Sequence, residues 1–148
     1  MYKKILIATD GSELADQAVS HGIGLAATVG ASAIFVTVTE MWPALEIAHE
    51  FERGDLDAIE VYEDAAASSA RAILDRAKAQ ARESNVDAEI RHVKDRKAAE
   101  GIMQTAELED CDLIVMASHG LRGLRKMLIG SQTAEVIAVS KKPVLVLR

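Results

Sequence analysis

The run Leu113-Ile114-Val115-Met116-Ala117-Ser118-His119-Gly120, continued by Leu121-Arg122-Gly123-Leu124-Arg125-Lys126-Met127-Leu128-Ile129 to Gly130-Ser131, reads as strand, loop and helix start in that order. A short, continuous apolar run suits a strand covered on both faces. Three glycines then let backbone N–H groups approach an anion, three cations (Arg122, Arg125, Lys126) fall within five residues, and Ser131 is placed to N-cap a helix that begins near Gln132. A strand feeding such a loop into a helix N-terminus has the properties of a phosphate-binding corner.

The flanking sequence repeats this alternation. Downstream, Val136, Ile137 and Val139 are expected to cover the sheet, Lys141-Lys142 offset the negative end of the helix, and Pro143-Val144-Leu145-Val146-Leu147 forms a final strand. Upstream, Arg96 to Leu108 carries Ala99, Ile102, Met103 and Ala106 at helical spacing, with Asp95 as its expected cap. Val86 to Val93 alternates apolar and polar residues, which places it at a sheet edge with one wet face. Ala58 to Ser84 is a long helical pattern with Tyr62, Ala66, Ala70, Ile73, Leu74, Ala77 and Ala81 on one side, stopped at Asn85.

Between Glu40 and Asp57 the periodicity is lost, so this stretch reads as the chain's one long irregular connection, with Trp42 as a packed anchor. Ala33 to Val38 and Lys4 to Thr9 are two more apolar strands. Between them Ser12 caps a helix whose stripe includes Leu14, Ala18 and Leu25 and which closes at Gly30. The order βαβαβαβαβ implies an α/β fold over residues 1–148. This is a doubly wound, five-stranded parallel sheet with helices on both faces, for which the strand order 3-2-1-4-5 is assumed.

Composition narrows the function classes. Hydrophobic residues make up 49% of the 148 and aromatics only 3%, so the core must be built from Ile, Val, Leu and much Ala. A net charge of −6 argues against general affinity for nucleic acid or anionic membranes, so any phosphate site must be local. The lone Cys111 fits a reducing compartment and a small core role. The N-terminal apolar run is too short for a signal sequence and no run long enough to span a bilayer occurs, so a cytoplasmic location is expected. His21, His49 and His92 show no ligand spacing, so no structural metal is expected.

With strands one and four adjacent, Asp10 and the loop after Met116 face one crevice at the point where the winding reverses. Ala8-Thr9-Asp10-Gly11-Ser12, the Asp112 to Gly120 segment, the nine residues before Gly130-Ser131, and the terminal Pro143 to Leu147 strand together resemble the universal stress protein family. In its ATP-binding branch the loop reads Gly, two residues, Gly, nine residues, Gly, then Ser or Thr. Here Ala117 stands at the first glycine position, adding a methyl group and restricting positive φ.

The resemblance implies ATP as ligand, with Mg²⁺ accompanying its phosphates. Asp10 would hold the ribose or adenine side and Val38 would meet adenine through its backbone. Met116 and Ala117 would line base and sugar, and Gly120, Gly130, Ser131 and Gln132 would hold phosphates. The expected function is a nucleotide-binding stress-response regulator that acts through ATP-dependent conformation or affinity for a protein partner. A slow ATPase or phosphotransferase, and a nucleotide-free interaction module favoured by Ala117, are the alternatives. The apolar terminal strand predicts a homodimer paired through Val144 to Leu147, as the resemblance also implies.

Overall fold

The sequence folds, in a computed structural model, around five parallel strands, with residues 1–40, 44–55, 57–120 and 128–148 described. The elements are β1 (Lys4–Ala8), α1 (Glu13–Val29), β2 (Ser32–Thr39), α2 (Ala44–Glu52), α3 (Ala58–Glu83), β3 (Ala88–Lys94), α4 (Ala98–Leu108), β4 (Leu113–Ala117), α5 (Ser131–Val139) and β5 (Val144–Leu147). All strand pairs are parallel, in the order β3-β2-β1-β4-β5. The expected topology is therefore the observed one, with strands one and four as neighbours.

The two-residue alternation of the strands divides the core between the two faces. Ile5, Ile7, Phe35 and Val115 lie buried with Ala15, Ala18 and Ala26 of α1 and Leu74, Ala77 and Ala81 of α3. Leu6, Ile34, Val36, Ile114 and Met116 lie on the opposite face with Ala99, Ile102 and Ala106 of α4 and Val136 of α5. Alanine on the helix side and branched residues on the strand side let backbones approach closely, which is how a chain so poor in aromatics fills its core. Each fully buried Ile, Leu or Val contributes about 1.5–3 kcal/mol relative to exposure.

Local signals explain most boundaries. Ser12 accepts a bond from Ala15 N at 3.3 Å and starts α1, and Gly30, at φ +72°, ends it. Asn85 adopts φ +55° just past α3. Asp112 accepts backbone N–H bonds from Lys3 and Lys4 at 2.7 and 3.0 Å, pinning the entry of β1 to that of β4; these bonds hold its carboxyl below the usual range. Cys111 is fully buried and burial pushes its thiol up to about 11.

Four expectations change. Residues 44–52 of the supposed irregular connection form α2, whose nine residues were too few to display a helical stripe. Asp95 does not cap α4: it takes φ +56°, and the extended cap position is Lys97, without a side-chain bond. On α5 only Val136 is buried among the three residues expected to cover the sheet, because Ile137 and Val139 point outward, 47% and 61% exposed. Tyr62 and the first turns of α3 lie beyond the buried stripe, which begins at Ala70. Trp42, Arg122, Arg125 and Lys126 lie outside the described residues.

Candidate functional site

The site is assembled where β1 and β4 end side by side. Thr9 N bonds Val36 O at 3.0 Å, and Thr37 Oγ1 donates to Thr9 O at 2.8 Å, so the chain leaving β1 is held by β2. Gly11 follows at φ +79°, a turn that L side chains resist. Its N–H donates to Thr9 Oγ1, and Ser12 N donates to Asp10 Oδ1 at 3.0 Å. These bonds set the Asp10 carboxylate at the mouth of the turn.

The β4 exit is tied as closely. Ser118 N bonds Leu147 O, and Gly130 N bonds Ser118 O, both at 2.7 Å, so the loop from 119 to 129 leaves and returns at one point. Thr133 Oγ1 donates to Ala117 O at 3.0 Å, drawing α5 onto the end of β4. A Cβ built on Gly120 would overlap Asp10 Oδ2, so the loop comes this close to the carboxylate only because residue 120 is glycine. The two halves of the crevice, 110 residues apart in sequence, therefore touch.

The start of α5 departs from expectation. Gly130, extended at φ −60° and ψ 151°, is the cap, without a side-chain bond, and Ser131 is the first helical residue. Ala134 N to Gly130 O is the first bond of the ladder, so the N–H groups of Ser131, Gln132 and Thr133 have no intrahelical acceptor. The first turn carries no acidic residue. Gln132 has a duty the sequence did not reveal: its Oε1 accepts from Ala99 N at 2.8 Å and so caps α4 from outside. Ala117 lies within β4 and has no positive φ, so the alanine takes this backbone without strain.

These groups line a cleft of about 490 Å³, which includes all eight residues singled out from the sequence: Asp10, Val38, Met116, Ala117, Gly120, Gly130, Ser131 and Gln132. Its lining is largely apolar and also includes Val36, Ala66, Tyr62 and Ile102, with Thr39 and Glu40 beside them. Thr39 bonds His92 Nε2 across the β2–β3 pair at 2.9 Å; burial, with Lys94 adding repulsion, holds His92 below the ordinary histidine value. His119 also lines the cleft, its Nδ1 3.2 Å from Ser118 Oγ. The threonines that bind the strand ends were not found from sequence, since threonine in a strand reads simply as a β-former. Among the described residues no group of three or more His, Cys, Asp or Glu side chains could hold a metal ion.

An anion-suited helix N-terminus beside a largely apolar lining, at the switch point of a doubly wound sheet, is the place where α/β proteins of this topology bind small ligands. The chain belongs to the universal stress protein family, whose match spans residues 1–148. It is 30% identical to universal stress protein MJ0531 of Methanocaldococcus jannaschii over all of this chain and 83% of that protein. Its fold matches the solved structure of protein MJ0577 with a TM-score of 0.81 at 31% identity, covering 99% of this chain and 96% of that one. A universal stress protein solved in complex with cAMP matches with a TM-score of 0.73 at 26% identity, covering 99% and 97%.

Proposed function

We propose that this chain binds ATP in the cleft and acts as a nucleotide-dependent regulator that changes its affinity for a protein partner. The observation that carries the reading is the arrangement around α5. The cleft is lined by the first turn of α5, whose three leading N–H groups have no intrahelical acceptors, by the apolar Val36, Val38, Ala66 and Ile102, and by Asp10 against Gly120. Phosphates suit the first, a base the second, and ribose hydroxyls the carboxylate.

In this reading Gly120, Gly130 and Ser131 hold phosphate, with Gln132 contributing its backbone N–H while its side-chain oxygen serves α4. Met116, Ala117 and Val38 bracket base and sugar. Mg²⁺ would be carried chiefly by the phosphates. Support from relatives is that one bound cAMP, which shares the adenine, ribose and phosphate groups.

Equilibrium dialysis with labelled ATP is the test. Saturable binding is expected, weakened about tenfold or more by Asp10→Ala, in line with loss of a charge-assisted hydrogen bond. Absence of saturable binding at millimolar ATP overturns the reading, and parallel titrations with cAMP show whether the cleft prefers a triphosphate.

A further inference from the structure

A strongly acidic and little-buried stretch adjoins the cleft. Residues 40–64 carry nine carboxylates and one arginine, a net charge of −8 against −6 for the whole chain, so the other 123 residues sum to +2. The stretch contains α2 and the first turns of α3. None of the described side chains of α2 is buried, and α3 buries none of its residues before Ala70. Phe51 on α2 and Val61 on α3 are each 65% exposed.

A nine-residue helix is marginal in water by itself, and none of the described side chains of α2 is buried against the body of the protein. Its amphipathic pattern, with Ile47 and Phe51 one turn apart, therefore suits a partner. Charge decides which kind. Nucleic acid and anionic lipid surfaces are repelled by a patch of this sign. A second copy docked through the same patch would bring two −8 surfaces together. The remaining occupant combines positive charge with apolar anchors.

We propose that α2 and the exposed start of α3 form a docking surface for a cationic amphipathic segment of another protein, with Phe51 and Val61 seating its apolar anchors and the surrounding carboxylates pairing with its lysines and arginines. Docking of an amphipathic helix by its apolar face is the binding mode that fits. Glu40 and Tyr62 belong both to this stretch and to the cleft lining, and Ala66 follows one turn on, so partner and nucleotide bind on a shared structure. Each then alters the affinity for the other by the same factor. That coupling alone rests on the ATP reading.

The experiment uses the full chain and a labelled amphipathic helical peptide of leucine and lysine, followed by fluorescence anisotropy at physiological ionic strength, with the leucine and glutamate peptide as counterpart. Saturable binding of the lysine peptide alone is expected. Phe51→Ser should weaken it about tenfold, as for a central apolar anchor, and the joint neutralisation Glu60→Gln, Glu63→Gln, Asp64→Asn should weaken it further. The same number of neutralisations elsewhere, Glu83→Gln, Asp87→Asn and Glu135→Gln, should leave it unchanged. Equal weakening by that control set, wild-type binding by Phe51→Ser, or binding of the glutamate peptide overturns the proposal. So does a fall in sedimenting mass on Phe51→Ser, which would assign the surface to a second copy. These arms are run without nucleotide, so a failure to bind ATP leaves them standing. A saturating dose of ATP that binds but leaves peptide affinity unmoved removes only the coupling.

Discussion

At residue 120 a hydrogen in place of a methyl group lets the loop lie against the Asp10 carboxylate. A Cβ there would occupy the space of Asp10 Oδ2, and turning the carboxylate aside would disturb the bond its other oxygen accepts from Ser12 N. Gly120→Ala should therefore displace either the loop or Asp10 and weaken ATP binding about tenfold or more, while the core remains intact; titration calorimetry with thermal unfolding separates these effects. Ala117 is the converse case. The resemblance to the ATP-binding branch implies glycine at that position, yet the backbone here is extended strand. Ala117→Gly should leave ATP affinity within about threefold and cost about 0.5–1 kcal/mol of stability from added chain freedom. A tenfold gain in affinity would show that the methyl group obstructs the ligand. The identity of these residues was legible from spacing. That Gly120 serves close approach rather than an unusual φ was not, because only the fold brings Asp10 to it.

The elements that build the cleft are joined through polar side chains at their ends. Gln132 at the start of α5 supplies the acceptor that caps α4, so Gln132→Ala should cost about 1 kcal/mol, as loss of a helix cap does, measured by urea unfolding without nucleotide. On the opposite flank, Thr39 and His92 join β2 to the edge strand β3. The folded His92 value lies below the unfolded value near 6.5, so the unfolded chain takes up the proton first on acidification. Its contribution is complete above about pH 6.5 and is lost as pH falls through the folded value. The urea midpoint should accordingly drop between about pH 7 and pH 5, and drop less in His92→Gln. Strands and four of the five helices were legible because buried runs and helical stripes are long signals, whereas the strand order had to be assumed because no local pattern records which strands become neighbours. The short α2 carried too few turns to show one, and the caps of α4 and α5 come from contacts between distant segments that no local motif records.

For the whole molecule, the open question is how the β5 edge is protected. Pro143 O and Leu147 O accept from Ile114 N and Ser118 N of the β4 side, so by the two-residue alternation of a parallel ladder Val144 and Val146 direct their own N–H and C=O groups outward. All four residues of β5 are only half-buried, and α5 adds the exposed Ile137 and Val139. An open apolar edge of this kind is a template for another strand, and two copies related by a two-fold axis would pair their β5 strands antiparallel while joining their α5 apolar residues. On this basis the chain is expected to sediment as a dimer, at twice 15.9 kDa. Val146→Pro removes one outward N–H without breaking a bond to β4, so it should yield a folded monomer with a cooperative melt, and Ile137→Lys should weaken the dimer by replacing an apolar contact with a charge. A Val146→Pro protein that remains dimeric at micromolar concentration would place the contact elsewhere, since pairing through β5 cannot tolerate the loss of its central donor.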